Sequence, residues 1–341
     1  MPTVPSSARI YGSVTTYTQF DRRLLPPNEN NLNIENGTGT KAVLVNDLSG
    51  NTASGNYVTA EGRQTTASGD YSHAEGYKTI ASGDQSHAEG YNTIASQTSS
   101  HAEGWNTRAE GLYSHTEGAN TRSLGWASHA EGYNTVSLAS GSHSEGRPLS
   151  DYAGRVIIVT GTQNATELTY EDNITPSIDQ SVVGIYLCLK ANNYQYAFRI
   201  IGIDTSNQTI QISNSSHPAL DHAEAILTDN IASSEGAHSE GKGSQALATA
   251  SHAEGEGTIA RTGYQHVQGK YNIEDTNGTY AHIVGNGTSS TRSNAHTLDW
   301  SGNGWYAGNL TISGGSLTLH DSTGDVTITA AQLRALLETL K

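Results

Sequence analysis

Apolar and polar residues alternate with a period of two along much of the chain, in short runs broken by Gly, Asn and Asp. In SHAEGYKTIASGDQ, beginning at Ser72, His73 and Glu75 fall on one face of a strand and Ser72 and Ala74 on the other. Gly76 and Gly83 mark where the chain bends. Two short strands and two turns in 14 residues describe one coil of a narrow solenoid. Helix is a poor alternative, because no apolar stripe recurs at helical spacing in this region.

The unit repeats. His73, His87, His101, His115, His129 and His143 are 14 residues apart, and Thr59 holds the same register one step earlier. The series resumes at His238, His252 and His266 and closes on a degenerate coil at His282, 16 residues on. These eleven coils, stacked at ~4.8 Å, predict a shaft roughly 50 Å long.

Between the two blocks the pattern changes. GRVIIVTGT, SVVGIYLCLKA, YQYAFRIIGID and QTIQISN are β-branched and aromatic runs, with Val183, Ile185, Leu187 and Leu189 alternating on one face. KANNY and DTSNQT are hairpin turns between them. They predict a barrel or small sandwich of five or six strands, inserted at a loop of the roll and projecting from it. HPALDHAEAILTDN, His217 to Asn230, reads as a return connection with a short helix. At the C-terminus, short strands lead to a helix with Ala330, Leu333, Leu336, Leu337 and Leu340 on one side and Thr327 or Thr329 as its cap. The division is 1–50, an attachment or cap region; 51–146, the first block of repeats; 147–233, the inserted β domain; 234–287, the second block; and 288–341, a trimerisation tip.

Composition narrows the picture. Hydrophobic residues are 34%, with 37 Gly and two Phe, too few for a large aliphatic core in one chain. Shared packing between chains is the alternative. The net charge of −15 argues against nucleic acid and anionic membrane as partners. A single cysteine, Cys188, excludes an intramolecular disulfide. MPTVPSSARIYG lacks the apolar segment of a signal peptide, and no run is long enough to insert in a membrane.

The candidate chemistry lies in the repeated pair: His73 and Glu75, His87 and Glu89, His101 and Glu103, His115 and Glu117, His129 and Glu131, His143 and Glu145, His238 and Glu240, His252 and Glu254. The pattern suits a structural ladder in which imidazole and carboxylate satisfy each other and fix register. An H-x-E pair, or three symmetry-related histidines, could instead hold a transition metal. A His-Glu dyad lacks a distinguishable nucleophile. No cofactor is expected, with a metal ion on a shared axis as the alternative. Tyr186, Tyr194 and Tyr196 in the inserted domain, and Trp300 and Trp305 near the tip, are the candidate ligand-binding aromatics.

S-x-A-x-G followed by T-x-A-S-G resembles the head of trimeric autotransporter adhesins, although His and Glu stand where that motif usually has aliphatic residues. The SHAEG form resembles tail-fibre and receptor-binding proteins of phages and prophages, and Gln265 to Gly308 resembles the C-terminal part of such proteins. The resemblance implies an all-β, left-handed parallel β-roll forming a homotrimeric fibre. It implies a virion tail or extracellular phage-tail-like particle, made in the bacterial cytoplasm. The N-terminus would dock to other tail or baseplate proteins, and the fibre would bind bacterial surface glycan without being an enzyme. Three alternatives stay open: a tailspike that degrades surface polysaccharide, a self-cleaving C-terminal chaperone with Asn294, Asp299 and Ser301 in the suspect region, and a purely structural spacer with no ligand.

Overall fold

The computed structural model describes residues 34–45, 50–150, 154–171, 178–191, 194–213, 216–309, 316–321 and 324–339. Most of the attachment region expected over 1–50 lies outside them, as does Leu340.

Twelve parallel strands, from Val43–Val45 to Tyr280–Asn286, form one long face of a β-solenoid. The repeat histidines align one on the next, as His73 with His87 and His101 with His115. The sequence pattern counted eleven such coils; Val43–Val45, paired with Thr59–Glu61, adds one whose spacing is 16 residues. Ten two-residue strands, from Thr52–Ala53 to Ile259–Ala260, form the opposite face.

The interior is a stack of small side chains. Ala60, Ala74, Ala88 and Ala102 from one face meet Ala67, Ala81, Ala95 and Ala109 from the other, all fully buried. In the middle coils Thr116, Ser123, Ser137 and Ser144 take these places. The Ser123 and Ser137 hydroxyls donate to the carbonyls of His115 and Ser142, and Ser144 donates to Asn230 Oδ1. In several coils the serine before the histidine closes the turn: Ser86, Ser114 and Ser128 donate to Gly83, Gly111 and Gly125 at 2.6–2.8 Å.

The two glycines of the repeat have different reasons to be glycine. Gly76 has φ +106°, a left-handed conformation. Gly83 does not; a Cβ there would lie 2.0 Å from the Gln97 carbonyl oxygen of the next coil. The left-handed residue of that second corner is Gln85.

A buried threonine column, Thr65, Thr79, Thr93, Thr107, Thr121 and Thr135, runs beside the alanines. Asn51, Asn230 and Asn272 occupy the same column where coils are irregular: at the start, at the insertion and at the end. The longer amide reaches carbonyls a threonine could not. Asn230 Nδ2 donates to Glu145, Arg147 and Gly241 carbonyls at 3.1–3.2 Å, while its Oδ1 accepts from Ser144 and Ser239. Asn51 and Asn272 each donate to two carbonyls and accept one backbone N–H. The register therefore continues across the insertion, His143 pairing with His238.

The inserted segment closes into a six-stranded antiparallel barrel of Val156–Gly161, Glu167–Glu171, Thr209–Ile212, Tyr194–Asp204, Tyr186–Ala191 and Leu220–Thr228. Its core holds Ile157, Leu168, Leu187, Leu189, Phe198, Ile200 and Leu227. Val183 is exposed, following a single turn of 3₁₀ helix, so the buried alternation begins at Ile185. The short helix expected within His217 to Asn230 is a strand instead. Leu220–Thr228 fills the last gap in the barrel, between Val156–Gly161 and Tyr186–Ala191, and that pairing overrides its local helix preference.

The barrel packs against the roll. Tyr186, Cys188 and Ile226, on its outer face, meet Leu124, Val136, Leu138 and Ile231 of the solenoid. Arg108 bridges to Glu224 of the barrel at 2.8 Å.

Beyond the last coil, Tyr280–Asn286, Asn294–Asp299 and Gly304–Tyr306 form an antiparallel end to the sheet. A hairpin, Ser316–Asp321 with Gly324–Thr329, leads to the helix Ala330–Thr339. Thr329 is the cap: its hydroxyl accepts from the Gln332 N–H, and Gln332 Oε1 accepts from the Thr329 N–H. Leu333, Leu336 and Leu337 are exposed. No helix among the described residues is long and apolar enough to cross a membrane.

Candidate functional site

The roll carries its chemistry on the outer side of its long face. Because alanine occupies the inward position of each SHAEG strand, His and Glu are forced outward. Successive imidazoles stack at 4.6–4.9 Å with planes 1–9° apart from His73 through His143 and His238 to His266. Within a coil, Nε2 of His73, His87 and His101 lies 3.8–3.9 Å from the glutamate two residues on. His143 stands between Glu131 and Glu145 at 3.7 and 3.9 Å. These separations exceed hydrogen-bond length. The Nε2 atoms of nine repeat histidines, His73 to His143 and His238 to His266, are hidden from solvent without a hydrogen-bond partner.

Burial and the adjacent imidazoles hold His87, His101, His115, His129 and His252 below the ordinary histidine range, so these rings are neutral at pH 7. The glutamates cannot all ionise at one-coil spacing. Glu145 is pushed up to about 8, chiefly by hydrogen bonding to Glu131, whose own carboxyl is lowered to about 2 by the same contact. Glu103 is raised to about 7, with Glu117 the main cause. Glu145 thus holds a proton for Glu131 at neutral pH.

Sets such as His101, Glu103 and His115, or His143, Glu145 and His238, gather three donor atoms within 4.8 Å. The ring geometry limits what they can ligate. A nitrogen lone pair lies in the imidazole plane, and parallel rings one coil apart point their lone pairs side by side, not at a common ion. A single chain therefore offers one nitrogen and one carboxylate per level. A shallow depression of about 490 Å³ over Glu145, Glu240, Glu254 and Gln268 follows the same face.

The aromatic candidates are scattered. Tyr186 is buried in the seam between barrel and roll and faces no solvent. Tyr196 is half-buried and stacks on Phe198 at 5.8 Å against the barrel core. Tyr194 lies at the start of its strand, paired with Ala191; its side chain is outside the described residues. Trp300 and Trp305 are exposed on the terminal sheet. Burial pushes the Cys188 thiol up, leaving it inert. Asn294 and Asp299 are opposite ends of one strand and do not converge. Asp299 is held in its turn by N–H groups of Ser301 and Asn303 at 2.8 Å.

A second ladder, which the histidine spacing does not reveal, runs along the G-Y-N-T column of the repeat. Tyr77, Tyr91 and Trp105 adjoin along one corner, Tyr77 tilted 50° to Tyr91 at 5.2 Å and Tyr91 stacked on Trp105 at 6.3 Å. Next to them runs an amide ladder in which Asn92, Asn106 and Asn120 each donate to the asparagine of the next coil at 2.7–2.8 Å.

The chain matches no family model, and no curated protein is similar to it.

Proposed function

We propose that the protein is a homotrimeric fibre of a phage tail or phage-tail-like particle, not an enzyme, that binds bacterial surface glycan and turns its His/Glu face to the shared axis. The observation that carries the reading is the row of nine hidden, unpartnered imidazole nitrogens on one straight face. Such atoms cost free energy, and the partly exposed rings that carry them leave that face open to a second stack. A second stack with the same coil rise presents carboxyls at every level where the first presents an imidazole. The exposed leucines of Ala330–Thr339 ask for partners in the same way, since ten residues make a marginal lone helix. Three copies rather than two, and the tail-fibre setting, rest on the SHAEG resemblance. Three copies of each glycan site would add avidity.

Light scattering on the full chain tests the assembly: three times 36.0 kDa gives a mass of about 108 kDa. Labelled protein should adsorb to bacterial cells and lose that adsorption when surface polysaccharide is stripped. A monomer would remove the assembly, and adsorption indifferent to stripping would remove the glycan.

A further inference from the structure

The aromatic corner ladder has one gap. Residues 91, 105, 119 and 133 are in register, bridged in parallel, but position 119 is alanine between Trp105 and Tyr133. The backbone there keeps the ladder intact: N–H groups of Trp105, Ala119 and Tyr133 donate to Gly118, Gly132 and Gly146 at 2.8–2.9 Å. Trp105 and Tyr133 are both about half exposed. Tyr91 backs Trp105 from the coil below, 23° from parallel, and so fixes the indole plane. On its other side the indole faces the space above Ala119.

We infer that this gap is a saccharide slot, taking one hexopyranose ring of a surface oligosaccharide between Trp105 and Tyr133; the inference deepens the glycan-binding reading and rests on it. Two coil rises separate the flanking residues, ~9.6 Å. A puckered sugar ring touches an aromatic face at about 4 Å, so a ring held on both sides needs ~8 Å. A flat aromatic ligand would leave the slot loose. Elsewhere in the column Tyr77 and Tyr91 fill adjacent levels and leave no room. The neighbouring amides suit hydroxyl groups. Asn106 and Asn120 each spend one N–H and one lone pair on the ladder, and an amide carries a second of each. Beyond Tyr133 a cleft of about 350 Å³ continues past Arg147, Leu149 and Lys242, with room for the next residue of the chain.

The test is binding of the full chain to an immobilised array of hexose and N-acetylhexosamine oligosaccharides, with intrinsic tryptophan fluorescence as the second readout. Trp105→Ala removes one wall. Ala119→Tyr fills the slot by completing the ladder and so leaves the fold intact, which circular dichroism checks. Both should weaken binding roughly tenfold or more, the scale of one lost aromatic contact. Tyr264→Ala, at an exposed aromatic far along the roll, should bind as wild type. Unchanged binding by Trp105→Ala and Ala119→Tyr would overturn the slot while leaving glycan recognition standing. A wild-type chain that binds nothing on the array, nor stripped cell-surface polysaccharide, would overturn both.

Discussion

At the scale of single residues, the two faces of each strand were legible because a period of two leaves no choice. Once Ala74 and Ala88 are inside, His73, Glu75, His87 and Glu89 must be outside. What a period of two could not show is how the outside residues share protons, which depends on the spacing between coils. Glu145, raised to about 8 when folded, sits near 4.5 when unfolded. Between those values the folded chain binds the extra proton, so this group makes stability fall as pH rises from about 5 to 8 and flatten above. Glu145→Gln keeps a donor toward Glu131 and removes the titration. The variant should therefore lose part of the wild-type decline in melting temperature over that window and gain most at pH 8. A melting series at pH 5, 6.5 and 8 checks it; parallel curves for the two proteins would mean that Glu145 does not hold the proton. The ligand candidates fared differently at this scale. An aromatic in a β-rich run reads the same whether it faces solvent, a core or a seam. Tyr186 went to the seam because the strand that carries it is covered on both sides.

At the scale of elements, the coil was readable and the barrel's last strand was not. A 14-residue unit repeated with its glycines in register specifies its own neighbours, whereas Leu220–Thr228 is a strand only because two partners distant in sequence require it. The glycines show how tight the coil is. Gly104 has φ +104°, and a Cβ there would stand 2.2 Å from the Gly118 carbonyl oxygen. Neither the conformation nor the contact can relax without parting two coils. Gly104→Ala should cost at least ~2 kcal/mol, combining left-handed strain with the clash. Chemical denaturation checks it, with Gly141→Ala as a comparison: that glycine is also left-handed, at φ +62°, but no atom lies within 4 Å of its added Cβ. Equal losses for the two would show that conformation, not stacking, makes Gly104 indispensable.

At the scale of the whole molecule, the question is how a solenoid survives an interruption of about 85 residues. A stack of this kind is held only by nearest neighbours, so its cooperativity is as strong as its weakest junction. The barrel helps by packing on the roll, but the junction itself depends on Asn230. That one fully buried side chain ties the coil before the insertion, at Glu145 and Arg147, to the coil after it, at Gly241. Asn230→Ala would take the donor from the Glu145 carbonyl and the acceptor from the Ser144 hydroxyl, and would leave the Arg147 and Gly241 carbonyls with their backbone N–H alone, a loss of about 2–4 kcal/mol at a single level. The consequence should depend on position, not only on energy. Asn51 has the same role at the start of the roll, where a comparable loss frays one end. In calorimetry, Asn51→Ala should lower and slightly broaden one transition. Asn230→Ala should divide it, the coils before and after the insertion melting apart. If Asn230→Ala instead melts in one sharp step, the barrel seam through Leu124, Cys188 and Ile231 carries the coupling, and the insertion is a brace for the roll and not an interruption in it.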